Sequence, residues 1–169
     1  ALGPLLSGYL ARLSDRALAL GLPEPQVMLS NGGTVPARTA GANASWTVLS
    51  GPAGGAVGAA RSAMRRGATH ALAFDMGGTS TDISLIDEGE VAVVAAREID
   101  GRPIALPSVD VSTVGAGGGS IAWQDEGGAL RVGPQSAGAR PGPACYGHGG
   151  REATVTDANL LLGYYDPGF

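Results

Sequence analysis

Asp75-Met76-Gly77-Gly78-Thr79-Ser80-Thr81-Asp82 packs two carboxylates, three hydroxyls and two adjacent glycines into eight residues. The apolar run Ala71-Leu72-Ala73-Phe74 leads into it, and the alternating run Ile83-Ser84-Leu85-Ile86 leads out. That pattern reads as strand, tight turn, strand. Gly77 and Gly78 can take backbone angles that other residues avoid, and they leave room for a group to approach the main chain. Consecutive N–H groups exposed in such a turn form an anion-binding concavity. Thr79, Ser80 and Thr81 add hydroxyl donors. Asp75, at the end of a strand expected to be buried, suits a hard cation such as Mg2+, which prefers oxygen ligands and accompanies phosphates. Asp82 supplies a second acid beyond the turn. The chemistry this could do is phosphate binding. The plainer alternative is a Gly-rich hairpin whose Thr and Asp side chains satisfy the turn itself.

A second glycine run, Gly115-Ala116-Gly117-Gly118-Gly119-Ser120, follows a short strand expected over Ser108 to Val114. Its composition requires it to lie close to another backbone or to a ligand. It does not match the dinucleotide fingerprint, because no helix follows and no acid stands at the required distance. Further on, Cys145 and His148 have metal-like spacing, but two ligands do not make a site. Asp157 is placed to cap a helix over Ala158 to Leu162; the alternative is that it projects an acid towards a nucleotide.

The elements that must position these residues follow from periodicity. Leu6, Leu10, Leu13, Ala17 and Leu20 give one apolar face of a helix from about Leu5 to Leu20, closed by Gly21 with Pro23 and Pro25 beyond. Val27-Met28-Leu29 is a short strand, and Ser30 to Thr34 is a turn at its carboxyl end, where it could border a site or simply lead into a helix. Residues 36–45 carry no clear pattern. Ser50-Gly51-Pro52 starts a helix running to about Arg66, with Gly67 as its stop. Its many glycines and alanines point to close packing on a sheet, or to backbone access for a ligand near the helix start. His70 to Phe74, Ile83 to Asp87 and Glu90 to Ile99 form an expected three-stranded meander. Ile121 to Gln124 and Leu130 to Val132 flank a hairpin turn at Asp125 to Gly128. Residues 133–151, with three prolines and six glycines, are expected to be loop, with Cys145 unpaired and no metal bound.

At 169 residues, 44% of them hydrophobic, the chain is expected to be a single folded domain, residues 1–169. Its net charge of −4, with no basic run longer than Arg65-Arg66, argues against a nucleic-acid groove. No apolar run is long enough to span a membrane, and no secretory signal pattern opens the chain. The single Cys allows no internal disulfide and fits a reducing compartment.

The motif at 75–82 resembles the phosphate motif of the hydantoinase A / 5-oxoprolinase family. Four more stretches resemble that family in the same order. They are Leu49-Ser50-Gly51-Pro52-Ala53-Gly54-Gly55, Gly115 to Ser120, Val132-Gly133-Pro134 through Pro141-Gly142-Pro143-Ala144-Cys145-Tyr146-Gly147, and Thr154-Val155-Thr156-Asp157-Ala158-Asn159-Leu160.

The resemblance implies an α/β fold: part of the second lobe of an actin/hexokinase/Hsp70-like ATPase, a mixed sheet with flanking helices and Gly-rich turns. It implies ATP and Mg2+ as cofactors. Asp75 would be the catalytic and metal-binding acid. Gly77, Gly78, Thr79, Ser80, Thr81, Asp82, Gly117, Gly118 and Gly119 would bind the nucleotide. Family members carry another phosphate hairpin near their N-terminus that is not in this sequence, so the chain looks like a piece of a longer protein. The implied activity is ATP-dependent hydrolysis of a small cyclic amide: phosphorylation of a lactam or hydantoin carbonyl oxygen makes its carbon electrophilic, and water opens the ring. The piece alone would be inactive. Its implied partners are the N-terminal lobe of the same polypeptide and a hydantoinase B-like subunit or domain, in the cytoplasm. Two alternatives stand beside this: a carboxylase subunit of the acetone carboxylase type, and a non-catalytic interaction lobe. Asp75 and Asp82 favour nucleotide binding over pure packing.

Overall fold

The three- and four-residue spacing of Leu6, Leu10, Leu13 and Ala17 becomes helix α1, Gly3–Ala19, in the computed structural model, which describes residues 3–99 and 101–168. The chain divides into two units, Ala1–Ala73 with Ser84–Val111 and Phe74–Ile83 with Ser112–Phe169. The division cuts the central hairpin, so its tip belongs to the second unit.

In the first unit, α1 buries Leu10, Ser14 and Ala17, while Leu13 and Leu20 of the expected apolar face stay exposed. Strand β1, Gln26–Met28, pairs antiparallel with β2, Thr34–Pro36. Ser30 to Thr34 therefore closes a hairpin rather than leading straight into a helix. Gly32 sits at φ +85°, and the side chain of Asn31 accepts the Gly33 N–H at 2.9 Å. The unpatterned stretch contains helix α2, Ala37–Ala42. It packs closely on α1: a Cβ on Gly41 would lie 3.3 Å from the Ser7 Cα, and the Ser7 hydroxyl donates to the Gly41 carbonyl. Leu10, Ala37 and Ala40 form one small core, flanked by Leu6, Val27 and Val35.

Helix α3, Ser50–Arg65, is capped by Leu49, which puts Pro52 at its third position rather than its first; Gly67 follows at φ +76°. Its Ala53 and Ala56 pack with Val109 and Val111 in a second core. The helix glycines are only partly explained by packing. A Cβ on Gly54 would lie 3.7 Å from the Met28 side chain, whereas one on Gly51 or Gly58 would meet nothing within 4 Å.

The expected meander forms over its first part. Strands β3, Ala71–Met76, β4, Thr81–Asp87, and β5, Glu90–Val91, share a sheet, with Ile86 opposite Val91. It does not continue to Ile99. Instead β6, Val93–Val94, pairs with β9, Ser108–Val109, and β7, Arg97–Ile99, pairs with β8, Arg102–Ile104. Arg97 holds this departure in place. Its guanidinium donates to the Val111 carbonyl at 2.6 Å and to Asp110 at 3.1 Å. The strand before the turn is also not buried: Leu72, Phe74 and Met76 are 62%, 60% and 42% exposed.

In the second unit, β10, Ser112–Val114, pairs antiparallel with the start of β4, setting Thr113 opposite Asp82 and Val114 opposite Thr81. The strand expected over 108–114 is thus two strands serving different neighbours. The expected second hairpin is β11, Ser120–Gln124, with β12, Leu130–Ser136. Asp125 closes it, accepting the N–H groups of Gly127 and Ala129 and pairing with Arg131 Nε at 2.7 Å. β12 runs through Gly133 and Pro134, so the expected loop begins after Ser136, and one 3-10 turn, Ala144–Tyr146, interrupts it. Helix α4, Val155–Leu161, follows. Among the described residues no helix is long and apolar enough to cross a membrane.

Candidate functional site

The turn between β3 and β4 is closed by one backbone bond, Gly77 N–H to the Ser80 carbonyl, 2.9 Å. Asp75, Gly77, Gly78 and Thr79 are exposed and Ser80 is half-buried. The two residues after the turn are occupied in fixing it. Thr81 is 3% exposed, and its hydroxyl donates to the Ala116 carbonyl at 2.6 Å. Asp82 accepts the hydroxyl of Thr113, its register partner on β10, also at 2.6 Å.

The second glycine run lies directly against this turn, backbone to backbone. Gly118 N–H donates to the Gly77 carbonyl at 2.9 Å and Gly119 N–H to the Gly78 carbonyl at 2.7 Å. No side chain fits between the two segments. A Cβ on Gly117 would come within 2.7 Å of the Gly77 oxygen, and one on Gly119 within 2.9 Å of the Gly78 oxygen. Gly117 N–H donates to the fully buried Ser120 hydroxyl at 2.8 Å. The amides of Gly117, Gly118 and Gly119 are therefore all engaged within the protein. Of the two things such a loop could approach, the structure shows a backbone.

This contact orients the turn. A trans peptide is planar, and its C=O and N–H point in opposite directions. Holding the Gly77 carbonyl toward Gly118 turns the Gly78 N–H away from the glycine run. Holding the Gly78 carbonyl toward Gly119 does the same to the Thr79 N–H. Among the described residues, the amides of Gly78, Thr79 and Ser80 donate to no protein acceptor. Asp75 makes no hydrogen bond to them either. The turn thus leaves three successive main-chain donors without a protein acceptor among the described residues, two of them turned away from the glycine run, beside two hydroxyls and one exposed carboxylate.

Helix α4 abuts the far side of the glycine run. The Gly118 carbonyl accepts both the N–H and the hydroxyl of Thr156, each at 2.8 Å. The cap of α4 is Thr154 rather than Asp157. Asp157 sits three residues into a capping box in which the Thr154 hydroxyl and the Asp157 carboxylate each take the other's N–H. The same carboxylate accepts the Cys145 N–H at 2.8 Å and the Ala144 N–H at 3.3 Å, clasping the Pro-rich loop to the helix. Burial pushes the Asp157 carboxyl up, but the hydrogen bonds from Cys145 and Thr154 outweigh it and hold the group well below the ordinary carboxylate range. Asp157 is thereby committed to structure. Cys145 and His148 are exposed, and among the described residues no three His, Cys, Asp or Glu side chains are grouped to hold a metal.

Sequence reasoning missed Thr156 and Ser120, whose partners are main-chain groups of the glycine run. The Thr154-x-x-Asp157 capping pattern was the one local signal in that region.

The chain is similar to several proteins. The caprolactamase subunit alpha of Pseudomonas jessenii is 42% identical over 168 residues, covering 99% of this chain and 24% of that one. A crystal structure of the ATP-dependent caprolactamase from that organism matches 98% of this chain with a TM-score of 0.78. 5-Oxoprolinase 1 of Arabidopsis thaliana is 46% identical over 97% of this chain and 12% of its own length. Nucleotide-free acetone carboxylase, described as ATP-dependent, matches 94% of this chain and 22% of its own at 34% identity, TM-score 0.71. The chain thus spans about a quarter or less of the relatives it matches. Its α/β fold is that of these ATP-dependent enzymes, as expected for a lobe of the actin-like ATPase fold. The hydantoinase/oxoprolinase family profile matches residues 1–169, and the chain belongs to that family.

Proposed function

We propose that the chain is part of an ATP-dependent cyclic-amide hydrolase and that its 75–82 turn holds nucleotide phosphates with Mg2+. The observation that carries this is that the amides of Gly78, Thr79 and Ser80 have no protein acceptor among the described residues, the first two being turned away from the glycine run. An oxyanion with several acceptor oxygens complements three adjacent donors. The hydroxyls of Thr79 and Ser80 add donors, and Asp75 supplies the hard oxygen that Mg2+ favours. The donor set therefore fits the group.

Bound there, Mg-ATP would supply a phosphoryl group able to make the carbonyl of a stable cyclic amide electrophilic. The residues of this chain would bind and orient. The amides fix the phosphate oxygens, Asp75 orients the metal or its water, and Thr81 and Asp82 keep the turn in register. Gly117, Gly118 and Gly119 shape the site by setting the direction of the turn amides. The rest of the site is assigned to the remaining polypeptide, and the ring chemistry to a second, hydantoinase B-like subunit or domain, in the cytoplasm. One relative is itself an alpha subunit.

The structural similarity to acetone carboxylase supports a second reading, a carboxylase component. Calorimetric titration of the full-length protein with Mg-ATP tests the shared premise. ATP hydrolysis stimulated by five- to seven-membered lactams or hydantoins would support the hydrolase. Stimulation only by a ketone with bicarbonate would support the carboxylase.

A further inference from the structure

Thr156 is the only residue of α4 that reaches the glycine run with both its main chain and its side chain, each at 2.8 Å from the Gly118 carbonyl. Gly118 then donates to Gly77, and its neighbour Gly119 to Gly78. The carbonyls of Gly77 and Gly78 are what fix the direction of the amides that the turn offers. Gly117, Gly118 and Gly119 cannot hold this register by side-chain packing, because they have no side chains. The run is held at its ends by the Thr81 hydroxyl on the Ala116 carbonyl, the Ser120 hydroxyl on the Gly117 N–H and the Ala137 N–H on the Gly119 carbonyl, and in the middle, at Gly118, by Thr156. There is also no slack at the contact: a Cβ on Gly118 would lie 2.7 Å from the Thr156 hydroxyl oxygen.

We infer that Thr156 is a positioning residue for nucleotide binding, orienting the phosphate-turn amides through Gly118 without touching the nucleotide. This rests on the phosphate reading of the turn. It also places the turn in mechanical contact with the Pro-rich loop, because Asp157, next to Thr156, carries the Ala144 and Cys145 amides. Cys145, Tyr146 and Thr156 line one open hollow of about 530 Å3.

The hydroxyl's contribution is separable from the fold. Thr156→Val keeps shape and the backbone N–H but removes one donor. Thr156→Ser restores that donor without the methyl group. The experiment is calorimetric titration of Mg-ATP into the full-length wild type and both variants, with thermal melts and with KM for ATP and for the cyclic amide measured separately. One lost neutral hydrogen bond that positions the site should weaken Mg-ATP binding by about five- to tenfold in Thr156→Val. The KM for ATP should rise in parallel while that for the amide stays constant, and Thr156→Ser should recover wild-type affinity within about twofold. If Thr156→Val does not fold, faster amide exchange at Gly118 and Gly119, whose N–H groups bond the turn carbonyls, in Thr156→Ser than in wild type would overturn the inference, since the serine hydroxyl must suffice. If wild type binds Mg-ATP and Thr156→Val binds it equally well, Thr156 is merely structural and the phosphate reading stands. If wild type binds no Mg-ATP, both fall together.

Discussion

The Asp157 carboxylate accepts the backbone N–H of Cys145 from twelve residues earlier, at 2.8 Å, and so closes the Pro-rich loop onto the first turn of α4. Two more donors, the N–H and hydroxyl of Thr154, share that carboxylate. A neutral amide offers one acceptor oxygen in place of two, so Asp157→Asn should lower stability by about 1–2 kcal/mol. The pH dependence has a definite sign. Burial raises the carboxyl pKa, the hydrogen bonds from Cys145 and Thr154 lower it further, and the net folded value lies below the unfolded one. The clasp's stabilisation is therefore fully present above the ordinary Asp range, about pH 4, and is lost as pH falls through the folded value. Thermal melts from pH 7 down to pH 3 should show wild type and Asp157→Asn converging. A gap that stays constant over that range would disprove it.

The same pair governs a thiol. Cys145 is exposed, yet the hydrogen bond of its thiol, as distinct from its N–H, to Asp157, with burial and the like charge adding to it, pushes the thiol pKa up. Thiolate is the reactive form. Iodoacetamide should consume Cys145 more slowly than it consumes a free cysteine peptide at pH 8, and Asp157→Asn should speed the reaction several-fold. Equal rates in the two proteins would show that the carboxylate does not control the sulfur.

Asp75 is exposed and makes no hydrogen bond among the described residues, so an isosteric amide has little to disturb in the fold. Asp75→Asn in the full-length protein should change stability by about 1 kcal/mol or less. It should cut ATP turnover on the order of 10²–10³-fold, the usual loss when a group stabilising transition-state charge is removed. Gly78→Val should instead weaken nucleotide binding and stability together. Turnover of Asp75→Asn within about twofold of wild type would make Asp75 a turn residue only.

Glycines at two places should respond oppositely to the same methyl group. Gly117→Ala would drive a Cβ to 2.7 Å from the Gly77 oxygen, with backbone on both sides. It should cost about 2–3 kcal/mol. Gly58 lies in the exposed interior of α3 with nothing within 4 Å, so Gly58→Ala should gain about 0.5–1 kcal/mol from helix propensity. Urea titrations of the two variants against wild type measure both; a stabilised Gly117→Ala would show that the contact yields.

The elements that were legible in the sequence are those written locally. The α1 stripe, the Gly67 stop of α3, the Asp75 to Asp82 turn and the Asp125 hairpin each carry their signal within about ten residues. What was not legible depends on residues far apart. Glu90 to Ile99 reads as one strand by composition, but Arg97 binds the carbonyl of Val111 and turns the segment to other partners. Helix α2 has no caps or periodicity and is ordered by its fit against α1. At the site, the second glycine run announces a close approach without naming its partner, because glycine carries no chemistry of its own. Thr156 looks like an ordinary first-turn residue until the Gly118 carbonyl is found above it.

Strand β3 has a consequence for handling the protein. In the sheet order β10–β4–β3 it is terminal, and its alternate residues Leu72, Phe74 and Met76 are all exposed. Asp75 is the one charge on this edge and lies near its carboxyl end, so the apolar stretch before it is a template for pairing with a second copy. Expressed as this segment alone, the chain should self-associate through β3 in a concentration-dependent way. A lysine in place of Phe74 would keep it dispersed, putting the acid-tipped turn on a soluble scaffold where phosphate ligands can be titrated directly.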